Sequence, residues 1–149
     1  MALNRDFVGR TYPQSAPYEV SRVKIREFAA AIGDDNPIYR DKEAAKAAGH
    51  PDVIAPPTFP IVFSLSGAGE ALGDPELGLN FAMVVHGEQR FEYQRPIHAG
   101  DELVCSSTIT EIRSVGRNEF LTVRSVVTTA DGEPVCTTYN TIVERGGAA

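Results

Sequence analysis

The chain has 149 residues, a formal net charge of −6, and 42% apolar against 23% charged residues. That length and balance suit one water-soluble globular domain, residues 1–149, with a real core. The acidic balance, without a basic stripe, excludes a nucleic-acid surface, and no apolar run is long enough to span a membrane.

The N-terminal stretch MALNRDFVGRTYPQ is irregular and rich in turn formers. It lacks the basic-then-apolar pattern of a signal peptide, so the expected location is cytoplasmic. Residues 17–20 suit a short strand. Ser21 is a plausible N-cap, and RVKIREFAAAI follows with Val23, Phe28, Ala29 and Ile32 near helical spacing. Gly33 sits where a helix C-cap glycine belongs. Asp41 caps a second short helix, KEAAKAA, closed by Gly49. Pro56 and Pro57 forbid helix before them, and Thr58 can cap a third helix with Pro60 in its first turn. Residues 61–72 are apolar nearly all round, which predicts a helix buried on most sides.

From Val84 the period changes to two. VVHGEQRFEYQRPI places Phe91 and Tyr93 on one face, and Glu92 and Gln94 on the other. His86 reads with Glu88 and Arg90 on the polar face. ELVCSSTITEIRSV, EFLTVRSVVTTA and EPVCTTYNTIVE are further strands, the last two joined by the hairpin signal Asp131-Gly132. Four long antiparallel strands after one buried helix predict an α+β fold, with the sheet wrapped around the helix. Residues 84–94 are the candidate edge, and pairing with a second subunit is the obvious way to cover it. The two cysteines, Cys105 and Cys136, lie inside strands as buried thiols, and no Cys/His cluster suggests a metal or other cofactor.

Several of these residues carry chemistry. GDDNPIYRD, residues 33–41, crowds carboxylates at a chain break. Asp34 reads equally as the polar end of a helix satisfying turn amides, and Asn36-Pro37 as local turn chemistry. Tyr39 can act as a donor or merely pack its ring. His50 and His98 fall in turns, where surface positions are the default.

GDDNPIY, VIAPPTFPIVFSL and RFEYQRPIHAGDEL together resemble the MaoC-like, (R)-specific hydratase/dehydratase branch of the hot-dog fold, from about Tyr12 to Val143. Within it, APPTFP and VVHGEQRFEYQRPIHAGDEL are most similar to the A-type subunits of heterodimeric (3R)-hydroxyacyl-acyl carrier protein dehydratases. The resemblance implies a dimeric hot-dog protein acting on an acyl thioester of acyl carrier protein or coenzyme A. It implies a homodimer, or a heterodimer with a subunit bearing an intact Asp/His dyad. In A-type subunits the fold helps to hold the acyl chain.

Removing water from a 3-hydroxyacyl thioester takes a proton from C2 and protonates the departing hydroxyl at C3. It needs two proton-transfer groups and a donor for the thioester oxygen. By the resemblance, Asp34 matches the family's aspartate and Tyr39 stands where the family has histidine. Asn36, Pro57, Thr58 and Phe59 fall at substrate-facing positions, and His86 is the candidate stand-in for the missing base or a solvated histidine. A phenol with an ordinary pKa near 10 is a donor and a poor base at neutral pH. Pro56-Pro57 departs from the family's usual His-Gly or Pro-Gly, and proline carries no N–H. The expectations are a binding subunit, a self-sufficient hydratase using Asp34, or, more weakly, a thioesterase using Glu70.

Overall fold

The computed structural model describes residues 2–148. Its frame is one antiparallel sheet: β1 (Tyr18–Glu19), β2 (Val84–Tyr93), β3 (Glu102–Val115), β4 (Asn118–Thr129) and β5 (Pro134–Glu144), in the order β1-β3-β4-β5-β2. The sheet curls around a central segment, residues 59–72, in an α+β hot-dog arrangement. The β4–β5 hairpin turns at Gly132, whose φ of 93° is the left-handed conformation that glycine adopts without strain.

Helix α1 (Arg22–Ala31) begins at Ser21, whose hydroxyl accepts from the Lys24 N–H at 3.1 Å. Its buried face is Ile25 and Ala29, with Phe28 beside them, while the anticipated Val23 and Ile32 are 61% and 48% exposed. Residues 25, 28 and 29 form the compact i, i+3, i+4 stripe; 23 and 32 lie off it. Helix α2 (Lys42–Ala47) is capped by Asp41, as its sequence predicts.

The central segment departs from the expected continuous helix. It is a string of tight turns, Phe59–Val62 and Ser66–Ala68 in 3₁₀ form, ending in one α-turn, α3 (Gly69–Leu72). Pro60 offers no N–H, and the Ser66 hydroxyl takes the Phe63 carbonyl at 2.6 Å, competing with the helical pattern. Gly67 then lies hard against β3: a Cβ there would sit 2.8 Å from Ser107 Oγ and 3.3 Å from the Cys105 carbonyl. Close approach to the sheet wins over regular helix.

Both ends of the sheet matter for the site. The β3 edge is covered from within, because Gly9, Tyr12 and Ser15 donate their N–H groups to Ile109, Ser107 and Cys105 at 2.8, 2.8 and 2.9 Å. β2 pairs only with β5, so its other edge is open among the described residues. The β2 register shifts between His86 and Glu88, a bulge at Gly87. This shift corrects the face assigned to His86. His86 pairs with the buried Ile142, Glu88 with Thr141, and Gln89 with the buried Asn140, so His86 projects to the same side of β2 as Gln89 rather than with Glu88 and Arg90, and it is exposed there. Phe91 is half-buried, but Tyr93, expected to pack inward, remains 37% exposed on this uncovered edge.

The core has two apolar clusters. One gathers Ile25, Phe59, Phe63, Cys105, Val127 and Cys136; the other Phe7, Ala68, Ile109, Leu121, Val123 and Ile142. Between them runs a row of buried polar residues: Ser107 on β3, Ser125 on β4, and Thr138 and Asn140 on β5. The thiols are inert: burial pushes Cys105 up to about 11 and Cys136 up to about 12. They flank Val127 on strands either side of β4, about two strand spacings apart and too far for a disulfide.

Candidate active site

Gly33, with φ 72°, ends α1 and turns the chain so that the Asp34 N–H caps Ala29 at 2.9 Å. Asp34 Oδ1 accepts from the Asn36 N–H at 3.1 Å, and Asn36 Oδ1 accepts from the Ile38 N–H at 3.2 Å. The Arg40 guanidinium binds the Asp34 carbonyl at 3.2 Å and Asp35 at 3.1 Å. These local bonds deliver Tyr39, at the end of the 3₁₀ turn Pro37–Tyr39, into the core, 7% exposed. Burial, and then the charge of Asp34, raise the Tyr39 phenol above its ordinary pKa. At neutral pH it is therefore a protonated donor beside a carboxylate.

Tyr39 lines a slot of about 290 Å³ together with Ile54, Ala55, Pro57, Tyr93, Gln94, Arg95 and Pro96. The walls are mostly apolar side chains and proline rings. The Tyr93 hydroxyl donates to the Pro57 carbonyl at 2.7 Å, joining the edge strand to the start of the central segment. The N–H groups of Tyr39, Ile54, Ala55, Gln94 and Arg95 all donate to carbonyls, of Asn36, Ile38, Ile97 and Val135. Pro57 and Pro96 have none. These wall positions, Tyr93 apart, thus leave no backbone donor for an oxyanion.

Arg95 is also committed. Its Nη atoms bind both Asp101 oxygens at 2.9 Å, and its Nε binds Glu133 at 2.7 Å. Asp101, 5% exposed, additionally accepts from the His98 N–H at 3.0 Å. The Arg–Pro and Gly–Asp motifs of the sequence thus build a wall rather than a free charge. Beyond that wall an open groove of about 560 Å³ continues past His50 and His98, sharing Ile54, Arg95 and Pro96 with the slot.

Of the residues singled out from sequence, Tyr39 and Pro57 meet in the slot, with the Asp34 charge acting on Tyr39. Asn36 braces the turn beneath them. Thr58 is exposed outside the wall. Phe59 is fully buried behind it, its ring 5.4 Å from Phe28 and 6.5 Å from Tyr18. His86 is seven residues along β2 from Tyr93, about 23 Å if the strand were straight. Glu70 lies in a separate groove with Pro13, Ser15 and Gly67. Sequence reasoning missed Tyr93 as a wall and latch; nothing in an alternating strand marks which tyrosine faces a backbone carbonyl.

Residues 6–138 match the family described as FAS1-like, dehydratase domain region. A UPF0336 protein of Thermobifida fusca is 58% identical over 148 residues, covering 99% of this chain and 97% of its own. Among solved structures, a chain of the C-terminally truncated HadBC (3R-hydroxyacyl-ACP dehydratase) complex of Mycobacterium tuberculosis superposes with a TM-score of 0.85. It is 27% identical, with 95% of this chain and 99% of that one covered. A chain of the ChsH1-ChsH2 complex of the same organism gives 0.71 at 28% identity, covering 89% and 88%.

Proposed function

Because the chain belongs to the FAS1-like dehydratase region family, we propose that it is the acyl-chain-binding subunit of a (3R)-hydroxyacyl-thioester dehydratase, equally a 2-enoyl-thioester hydratase. The observation that carries this reading is the phenol of Tyr39, its pKa raised, in a mostly apolar slot where five of the wall N–H groups are already engaged. Such a slot suits a hydrocarbon chain better than a developing oxyanion. A partner subunit with an intact aspartate and histidine five positions apart takes the C2 proton and protonates the leaving hydroxyl. This chain contributes the apolar slot and half of the dimer. HadBC and ChsH1-ChsH2 are both named as complexes, which supports a mixed assembly for a relative of this shape. The carrier, acyl carrier protein or coenzyme A, would lead its arm out along the groove past His50 and His98.

A second reading has its own observation. The Asp34 carboxylate is close enough to Tyr39 for its charge to raise the phenol. A self-sufficient (R)-specific hydratase would use Asp34 as base and Tyr39 as donor. A thioesterase centred on Glu70 has less support, since that carboxylate is in another groove. The test is to purify the chain alone and with a dyad-bearing partner and to follow hydration of crotonyl-CoA and longer enoyl-CoA. Activity that appears only in the mixed assembly supports the binding-subunit reading. Full activity of the chain alone selects the second.

A further inference from the structure

The polar row between the two apolar clusters contains groups without partners. The Gln89 Nε2 and Oε1, the Asn140 Oδ1 and the Ser64 Oγ are all buried and unpaired among the described residues. Asn140 and Ser64 are 3% and 1% exposed. Gln89 and Asn140 are direct cross-strand neighbours on β2 and β5. Ser64 reaches the same row through its carbonyl, which accepts from Ser125 Oγ at 3.3 Å. A buried polar group left unpaired is destabilising, so folded proteins satisfy nearly all of them with a partner, water or ligand.

The row lies on the same strand face as Tyr93 of the slot wall. Successive inner-face pairs on β2 and β5 are Tyr93–Cys136, Phe91–Thr138 and Gln89–Asn140. The first member lines the slot, and the amide pair lies four residues along the strand, about 13 Å away. A chain that followed this face from Tyr93 would pass Phe91 and Thr138 before reaching the orphan amides. The unmet needs are mixed: the two carbonyl oxygens call for a donor and the Gln89 NH₂ for an acceptor. A hydroxyl supplies both.

We propose that Gln89, Asn140 and Ser64 form a binding subsite for a hydroxyl group carried on the distal part of the acyl chain, so that the ligand class is a hydroxylated acyl thioester. The proposal rests on the acyl-binding reading above. A plain alkyl chain of the same reach would bury the same polar atoms against hydrocarbon and bind more weakly.

Calorimetric titration of the protein with paired thioesters tests it: octanoyl-, decanoyl-, dodecanoyl- and tetradecanoyl-CoA against their ω-hydroxy counterparts. At one chain length the hydroxylated member should bind about tenfold tighter. Gln89→Leu should erase that preference and tighten the plain chain, while leaving butyryl-CoA binding unchanged as a check on folding. Ser64→Ala should reduce the preference independently. Equal affinity within every pair, in a protein that binds plain chains, overturns the subsite and leaves the orphan groups to bound water. Failure to bind any acyl-CoA instead overturns the functional reading beneath it.

Discussion

The Tyr93 hydroxyl donates to the Pro57 carbonyl at 2.7 Å, tying the edge strand of the sheet to the start of the central segment. Both residues wall the slot that Tyr39 enters. Tyr93 is partly exposed, yet burial of its ring raises the phenol well above the ordinary tyrosine range, so the hydroxyl stays a donor at every physiological pH.

Tyr93→Phe removes that bond and little else. A net loss of about 1 kcal/mol is expected, read as a lower denaturant midpoint with unchanged slope. The Pro57 carbonyl can turn to solvent, so a larger loss, above ~2 kcal/mol, would mean that the latch organises more of the central segment than this one contact.

Tyr39→His restores the side chain of the family pattern but adds no oxyanion donor, because most of the surrounding N–H groups are engaged or absent. Hydration of enoyl-CoA by the variant alone is expected to rise yet stay well below the ~10 per second of typical enzymes. Full turnover from this single change would show that an unengaged donor, such as the exposed Thr58 N–H, is competent.

The Arg22–Asp52 pair gives an acid-side prediction. Arg22 binds both Asp52 oxygens, at 3.0 and 2.7 Å, and this bonding holds the Asp52 carboxyl down at about 2, below its ordinary 3.8. A lowered folded-state pKa stabilises the fold above the unfolded value and loses that contribution as the carboxyl protonates on the way down. Stability should therefore fall between about pH 4 and pH 2, and Asp52→Asn should flatten that part of the profile. Thermal midpoints of both proteins across this range decide it; parallel curves would remove the pair from the account.

How much of this was legible beforehand follows from the kind of signal each feature leaves. The strands from Val84 onward announce themselves by period two, and Ser21, Asp41 and Gly33 by cap chemistry. The continuous central helix was misread because apolar composition does not report that Gly67 must press against β3. His86 was misfaced because one extra residue at a bulge inverts the alternation. The Tyr39 position was readable through the family pattern. Its slot was not, since Ile54, Ala55 and Arg95 reach it from loops and strand ends far apart in sequence.

The open edge of β2 makes the last prediction. Gly87 sits in the bulge where a Cβ would lie 2.9 Å from Val143 Cγ2 and 3.2 Å from the Thr141 carbonyl. The first contact can relax by moving a side chain, but the second is backbone in the neighbouring strand. Gly87→Ala should therefore push β2 off β5 at this point and cost about 1–3 kcal/mol, as overpacking typically does. Phe81, Met83 and Val85 are exposed around the same strand, at 60%, 38% and 41%. An unpaired edge flanked by such side chains is a template for a second chain. The wild type should run as a dimer by size exclusion with light scattering. Gly87→Pro, which also removes an N–H, should shift it toward monomer or aggregate. A stable wild-type monomer that gains no activity on adding a dyad-bearing partner would remove the shared-site arrangement on which the functional reading depends.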